Sequence, residues 1–179
     1  MAEFLWIFWS FSLLGWVLER LFAAVTRSPR RRRRCLLLLP LCPVYGLGAL
    51  AVLALPPSLR SGWPLYLWGG LTATSVEYIY HWWGETFLSV SFWDYTGVFG
   101  NLRGRVCLPF SLAWGLLLFP AVYLVTPPVV ALADRVPVGV TWWLLLAFTA
   151  DAVCSLRFLA VTHDLEALRA VIWPVSGDR

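Results

Sequence analysis

The chain has 179 residues, of which 60% are hydrophobic and 13% are charged, and its mean hydropathy is +0.73. An average soluble domain is about 25% charged and 45–50% apolar, so this composition excludes a soluble globular domain, because too few polar side chains remain to cover a water-facing surface. The net charge of +4 is concentrated in one loop beside an apolar run, which indicates membrane topology and argues against a nucleic-acid-binding surface.

The apolar runs predict an all-α integral membrane protein. A spanning helix needs about 20 apolar residues, so a chain of 179 residues accommodates about five spans with short connections and leaves no room for a second domain. We predict one polytopic membrane domain, with spans at about 4–25, 35–55, 65–88, 106–125 and 140–161 and a polar tail at 162–179.

The first span ends at a strong topology signal. No basic residue precedes the apolar run from Phe4 to Val25, and the run is too long for the core of a signal peptide, so we expect it to stay attached. Five consecutive arginines follow it, Arg30 to Arg34, and these are costly to move across a membrane. The loop is therefore predicted to be cytoplasmic, which places the N-terminus outside and Glu19 near the cytoplasmic end of span one.

Span two is predicted to be kinked or unwound in its first half. Pro40 and Pro43 remove backbone donors, and Tyr45, Gly46 and Gly48 follow directly. Membrane backbone can leave the helical ladder only where protein or water satisfies the freed groups. This segment should therefore face protein and not lipid.

Span three carries Glu77, His81 and Glu85 at intervals of four residues, which places them on one helical face. An ionisable group at membrane depth costs roughly 2.5–3.5 kcal/mol, so each needs a partner or a purpose. One interpretation is a polar face that relays protons or holds a cation. The alternative is that these groups hydrogen-bond to Arg157, to Asp151 or to broken backbone in span two and hold the helices together. Two ligands without a third at recognisable spacing argue against a metal site.

The segment 89–105 is neither long enough nor apolar enough to span, and we predict a cytoplasmic loop that is interfacial or re-enters the bilayer. Its candidate residues are Trp93, Asp94, Tyr95, Asn101, Arg103 and Arg105. An ion pair from Asp94 to Arg103 or Arg105 would staple the turn, with nearby glycines permitting unusual backbone angles. Alternatively, the two arginines bind a lipid phosphate or an anionic substrate.

The last two spans complete the topology. The connection from Pro127 to Gly139 is predicted to be an external loop, in which Asp134 and Arg135 cancel in charge. Each external loop carries one arginine against six in the first internal loop, so the C-terminus is predicted to be cytoplasmic. The four cysteines are interpreted as small apolar fillers at helix interfaces, and no cofactor-binding fingerprint is present.

Three stretches carry a family resemblance. They are Gly15 to Glu19, Pro40 to Ala49, and Trp93-Asp94-Tyr95 with Asn101 to Leu108. In order and spacing they are similar to the bacterial family named Putative ABC-transporter type IV, of CmpB-like permeases, over about two-thirds of the chain. The resemblance implies a multispanning protein of the bacterial cytoplasmic membrane. It also implies motif positions at Glu19, Glu77, Glu85, Asp94, Asn101 and Arg103.

A permease-like protein is the favoured functional hypothesis. Such a protein would move, or help to move, an unknown small solute or lipid along a polar path near Glu77 and Glu85. Five spans are few for a complete transporter, and no P-loop is present. Besides the lipid bilayer, we therefore expect a homo-oligomer or a separate ATPase subunit as partner, and we expect neither a cofactor nor nucleic acid.

Two alternatives come from other functional classes. The first is a membrane-embedded lipid-modifying enzyme, with Glu77, His81 or Asp94 as acid and base and an arginine of the loop holding a phosphate. The second is a non-catalytic scaffold or regulator, in which the polar groups only join helices.

Overall fold

The structure is a computed structural model, and it describes residues 2–26 and 35–170. The arginine run Arg30 to Arg34 and the part of the predicted tail beyond residue 170 lie outside the described residues. Within those ranges the chain is helical, and the β-type pairing is limited to an isolated antiparallel bridge between Leu102 and Val106. The predicted all-α class is confirmed.

Six helices make up most of the described chain. In order they are α1 (Ala2–Thr26), α2 (Pro43–Leu53), α3 (residues 62–88), α4 (Leu108–Arg135), α5 (Val138–Thr162) and α6 (Leu165–Ala170). Three of them, α1, α4 and α5, are long and apolar enough to cross a membrane. The other two predicted spans correspond to α2, which has 11 residues, and to the more polar α3. Their crossing of the bilayer stays a prediction.

Helix α3 contains two wider, π-helical turns. Its parts are α-helix Gly62–Pro64, π-helix Leu65–Gly69, α-helix Gly70–Trp83 and π-helix Gly84–Leu88. Single π-helical turns inside α-helices are rare and frequently accompany functional sites. The second of these turns contains Glu85, and α3 ends there because Ser89 takes the left-handed conformation, with φ 55°.

The first half of predicted span two is not helical. Residues 35–42 form an irregular segment, and α2 begins only at Pro43. The amides of Leu38 and Leu39 donate to the two carboxylate oxygens of Asp151 on α5, at 3.1 and 3.0 Å. The carboxylate thus accepts hydrogen bonds from two backbone amides that lie outside any helix.

Tyr45, Gly46 and Gly48, which the sequence groups with the break, lie inside regular α2. Gly46 serves close packing, because a Cβ at this position would overlap the backbone oxygen of Phe8 and the hydroxyl of Ser12 on α1. Small residues let membrane helices approach each other closely. The break therefore precedes Pro43, and α1 and α2 pack together at Gly46.

Residues 89–107 fold back against the helices. Phe92, Trp93 and Tyr95 are buried, and they share a core with Leu37 of the irregular segment and Leu159 of α5. This loop therefore shares a core with the irregular segment and α5, and its entry into the bilayer stays a prediction.

The prediction of a loop from Pro127 to Gly139 is wrong. Helix α4 continues to Arg135, and two residues separate it from α5. A π-helical turn at Ala121–Val125 precedes the proline pair. The prolines thus occupy the first turn of the next α-helical segment, where a missing N–H costs least.

Candidate functional site

Glu77 on α3 is a fully buried acid, with a relative exposure of 0%. Its Oε1 accepts a hydrogen bond from the Tyr95 hydroxyl of the loop at 3.2 Å, and its Oε2 accepts one from the indole Nε1 of Trp114 on α4 at 2.8 Å. Burying a polar group without such donors would be strongly unfavourable. The carboxyl group therefore joins α3, the loop and α4 at one point.

Two aromatic side chains connect Glu77 to a second acid. The Tyr45 hydroxyl donates to Glu19 Oε1 at 2.6 Å, and the rings of Tyr45 and Trp114 lie 5.0 Å apart. Gly15 makes room for Tyr45, because a Cβ there would overlap the Tyr45 ring. The side chains thus form a continuous row in the order Glu19, Tyr45, Trp114, Glu77.

His81 follows one turn after Glu77 and has a relative exposure of 1%. Its ring stacks on Trp93 with 4.8 Å between centroids, and its Nε2 lies 3.1 Å from the Ser91 hydroxyl. That hydroxyl donates its own proton to the carbonyl of Trp93 at 2.9 Å. It must therefore accept from His81, which assigns a proton to Nε2. Glu85 Oε1 lies 3.8 Å from the same nitrogen.

Glu85, at the more exposed end of this face, pairs with Arg105 of the loop. Arg105 Nε donates to Glu85 Oε2 at 2.7 Å, and Nη1 donates to the Tyr78 hydroxyl at 2.8 Å. The hydrogen bond to Glu85 is the main cause that raises the pKa of Arg105. Trp93 Nε1 also donates to the Arg105 carbonyl, at 2.7 Å. The loop is therefore fastened to the end of α3 by both side-chain and backbone atoms.

The predicted ion pair from Asp94 to Arg103 or Arg105 is not formed among the described residues, because Arg105 takes Glu85 as its partner. Asp94 instead accepts a hydrogen bond from the Thr96 amide at 2.8 Å. Hydrogen bonds from Thr96 lower the pKa of the Asp94 carboxyl. The side chain of Arg103 is exposed.

Asn101 closes the turn that the ion pair was expected to staple. Its Oδ1 accepts from the Gly104 amide at 3.2 Å, and its Nδ2 donates to the Val98 carbonyl at 3.0 Å. Gly100 and Gly104 have φ values of 65° and 69°, which glycine adopts without steric cost. The turn is thus held by local amide hydrogen bonds between residues that are three apart.

Asp151 and Arg157, which the sequence offers as partners of Glu77, have other surroundings. Asp151 accepts the two amides of the irregular segment and also a hydrogen bond from Ser155 Oγ at 3.0 Å. Arg157 is exposed on α5. The hydrogen-bond donors to Glu77 described above come instead from aromatic side chains, Tyr95 and Trp114.

No cluster of three or more histidine, cysteine, aspartate or glutamate side chains is placed to hold a metal ion within residues 2–26 and 35–170. Cys35 and Cys154 are free thiols. Cys42 and Cys107 are buried in the core, whereas Cys154 is exposed.

Trp114, Tyr78 and Ser91 belong to the site, although the sequence does not single them out. Tryptophans of membrane proteins usually lie at the ends of spans, where indoles favour the interface. Trp114 lies well inside the span predicted at 106–125, and this unusual depth is the signal that could have identified it. Tyr78 and Ser91 carry no comparable signal, since their partners come from another element or from the fold of the loop.

Comparison with curated proteins and with solved structures gives no match. The model of one protein family matches residues 6–156, which include the whole row from Glu19 to Glu77, the loop and Trp114. Because this match covers most of the chain, the protein belongs to the family described as Putative ABC-transporter type IV.

Proposed function

We propose that the chain is a permease-like membrane component that moves, or helps to move, a small solute or lipid along a polar path on α3. The observation that carries this proposal is the buried Glu77 carboxyl group, whose oxygens are held by donors from the loop and from α4. The family match supports an ABC-transporter-related membrane protein. Ionisable groups inside the membrane commonly mark substrate and ion pathways.

The path would begin at the ion pair of Glu85 and Arg105. The Glu85 side chain is 35% exposed, whereas His81 and Glu77 are buried one and two turns further along α3. Release of the Tyr95 hydroxyl would free one oxygen of Glu77 for a proton or a cation. Because Tyr95 lies in the loop, a movement of the loop is the event that would open this path.

The protein would act in the bacterial cytoplasmic membrane, with its N-terminus outside and its C-terminus in the cytoplasm. The apolar helices α1, α4 and α5 support the membrane location. No P-loop is present in the sequence, so ATP-driven movement would need a separate ATPase subunit, and a homo-oligomer is the other expected assembly.

A serine-hydrolase form of the lipid-modifying alternative, with Ser91 as nucleophile and His81 as base, is not supported by the geometry. A hydrolytic triad needs its hydroxyl and its acid on opposite nitrogens of the histidine. Ser91 and Glu85 both lie at Nε2 of His81, at 3.1 and 3.8 Å. The Ser91 proton is moreover donated to a backbone carbonyl, so the serine is not poised as a nucleophile.

Reconstituted liposomes test the proposal with two probes. A pH-sensitive dye inside the vesicles reports proton-coupled flux under a potassium gradient with valinomycin, and dithionite reduction of a fluorescent phosphatidylethanolamine reports lipid movement. We expect Glu77→Gln to abolish whichever signal the native protein gives, with unchanged helicity and gel-filtration profile. Glu3→Gln is the matched control, because Glu3 is exposed at the start of α1. Normal flux in Glu77→Gln would refute the path.

A further inference from the structure

An apolar cavity of about 300 Å³ lies between α1, α2 and α4. Leu14, Gly48, Val52 and Leu118 line it, and almost all of its surface is apolar. Ligand sites usually begin at about this volume. Apolar cavities half this size stay free of water and accept small apolar ligands.

Gly48 shows that this space is internal and unfilled by the chain itself. The residue is buried in α2, yet a Cβ built on it would meet no atom within 4 Å. Protein interiors are normally close-packed, with few voids larger than a water molecule. Gly46, two residues earlier, instead packs tightly on α1. Helix α2 therefore presents one glycine to a neighbouring helix and the other to a cavity.

A second cavity of about 220 Å³ continues the first towards a polar end. The two share Leu18, Tyr45 and Trp114 in their walls, and the second one reaches Glu19. Along α1 the combined lining extends from Phe11 to Phe22, which is about 16 Å at 1.5 Å per residue. The hydrocarbon layer of one leaflet is about 15 Å thick, half of the hydrocarbon core of the bilayer. The combined space thus has the length of one lipid tail.

We propose that one acyl chain of a membrane phospholipid occupies these two cavities, with the polar end of the lipid beside Tyr45 and Glu19. The mouth is bordered by the exposed side chains of Leu14 and Leu18 on α1 and Leu117 on α4, and both helices are apolar enough to cross a membrane. The opening of the cavity therefore faces the hydrocarbon of the membrane. The apolar ligand available there is the flexible acyl chain of a lipid.

Two other occupants fit the cavity less well. Water needs two to four polar partners, which the apolar lining does not offer. A helix of a second copy is about 10–12 Å wide, and the inner end of the cavity is closed by Val52, Ala73 and Leu118, where α2, α3 and α4 pack on one another. The proposal goes beyond the proposed function, because it assigns a binding site that does not depend on transport.

Photolabelling in liposomes tests this site without any gradient or nucleotide. The probe is a phosphatidylethanolamine whose palmitoyl chain carries a diazirine, and the adducts are mapped by mass spectrometry. We expect adducts on the buried residues Val52 and Ala73, whose relative exposures are 1% and 4%. Trp143, which is 73% exposed on α5, reports the general labelling of the lipid-facing surface. Adducts on Trp143 alone would overturn the proposal.

Gly48→Leu fills the cavity, and Gly139→Leu is its matched control, because a Cβ at Gly139 also meets open space. The residue at 139 is exposed at the start of α5, away from the cavity. In Gly48→Leu the leucine side chain occupies space that the acyl chain needs. The free-energy cost of overpacking is then large enough to weaken labelling of Val52 and Ala73 about tenfold. The Gly139→Leu control should label like the native protein.

Gly48→Ala provides a milder version of the same test. Alanine favours the helix over glycine, so this variant should fold, and a single methyl group should reduce labelling only partly. Undiminished labelling of Val52 and Ala73 in both Gly48 variants would overturn the proposal. So would covalent dimers joined through these residues by a bifunctional photocrosslinker used in place of the lipid probe, which would identify a second copy of the chain as the occupant. A diazirine-bearing free palmitate that labels where the phospholipid does not would also exclude the phospholipid.

Discussion

The buried carboxyl group of Glu77 depends on the indole of Trp114 and the phenol of Tyr95. Removing one partner of a buried hydrogen bond costs about 1–3 kcal/mol, and replacing Trp114 removes the indole donor to one oxygen of Glu77. Phenylalanine at 114 would keep an aromatic ring against Tyr45 and would remove the N–H together with part of the indole ring.

Trp114→Phe should therefore lower the free energy of unfolding by about 1–3 kcal/mol, measured by denaturant titration in detergent micelles. Trp143→Phe is the comparison, because Trp143 is 73% exposed and its replacement should change stability by less than about 0.5 kcal/mol. Equal effects of the two substitutions would show that the hydrogen bond to Glu77 does not stabilise the fold.

Gly104 should tolerate a side chain less well than Gly97. Both have positive φ, 69° and 86°, and alanine in this region costs about 1–2 kcal/mol. A Cβ at Gly104 would also lie 2.9 Å from Thr96 Oγ1 and 3.0 Å from Asp94 Oδ1, whereas a Cβ at Gly97 meets nothing. We expect Gly104→Ala to lower the midpoint of thermal unfolding more than Gly97→Ala does. The reverse order would contradict the described loop.

The loop should lose a stabilising contribution in acid. Hydrogen bonds from Thr96 hold the folded-state pKa of Asp94 below its usual 3.8. A depressed pKa means that the contribution is present above the unfolded-state value and is lost as the pH falls through the folded-state value. The Thr96 amide chemical shift should titrate with a midpoint below 3.8, and Asp94→Asn should remove this step. A midpoint at or above the usual value would contradict the assigned hydrogen bonds.

The sequence predicted which acids share the face of α3, because intervals of four residues are visible in the chain. It did not predict their partners. The donors to Glu77 come from positions 18 and 37 residues away, and Arg105 binds Glu85 at a distance of 20 residues along the chain. Asp94 and Arg105 are close in sequence, yet they do not pair. Asp94 accepts a hydrogen bond from the Thr96 amide, and Arg105 binds Glu85 of α3.

At the level of elements, the irregular segment 35–42 is held by Asp151 of α5. Asp151→Ala would leave the amides of Leu38 and Leu39 without these acceptors, and we expect it to lower the free energy of unfolding by about 3 kcal/mol or more. Hydrogen exchange at these two amides should become faster in this variant. Asp134→Ala, at an exposed position of α4, should leave their exchange unchanged. Native protection in Asp151→Ala would contradict this role.

The two proline pairs lie in different local structures. Pro40 and Pro43 predicted a break in span two, and the irregular segment ends at Pro43. Pro127 and Pro128 predicted a loop, but the π-helical turn Ala121–Val125 places them in the first turn of an α-helical segment. A π-helical turn depends on the hydrogen-bond register of the backbone, for which a single sequence gives no periodic signal.

For the whole molecule, the number of spans depends on whether α2 and α3, which lie between α1 and α4 in the chain, cross the membrane. With the proposed external N-terminus, five spans would place residue 60 outside, whereas crossing by α1, α4 and α5 alone would leave it inside. Both arrangements would then place the C-terminus in the cytoplasm, so a C-terminal reporter does not distinguish them. Alkaline phosphatase fused after Arg60 should be active if the chain crosses five times. An inactive fusion there, with an active fusion after Pro137, would reduce the count to three.

The hydrogen bonds between Asp151 and the irregular segment also constrain how the protein is made. The acceptor lies 112 residues after Leu39, so a ribosome must finish most of the polypeptide before this early segment can reach its final hydrogen bonding. Until then, the insertion machinery or water has to solvate those amides. A nascent chain arrested at Pro137 should consequently remain sensitive to proteolysis around residues 38 and 39, and release of the complete chain should end that sensitivity.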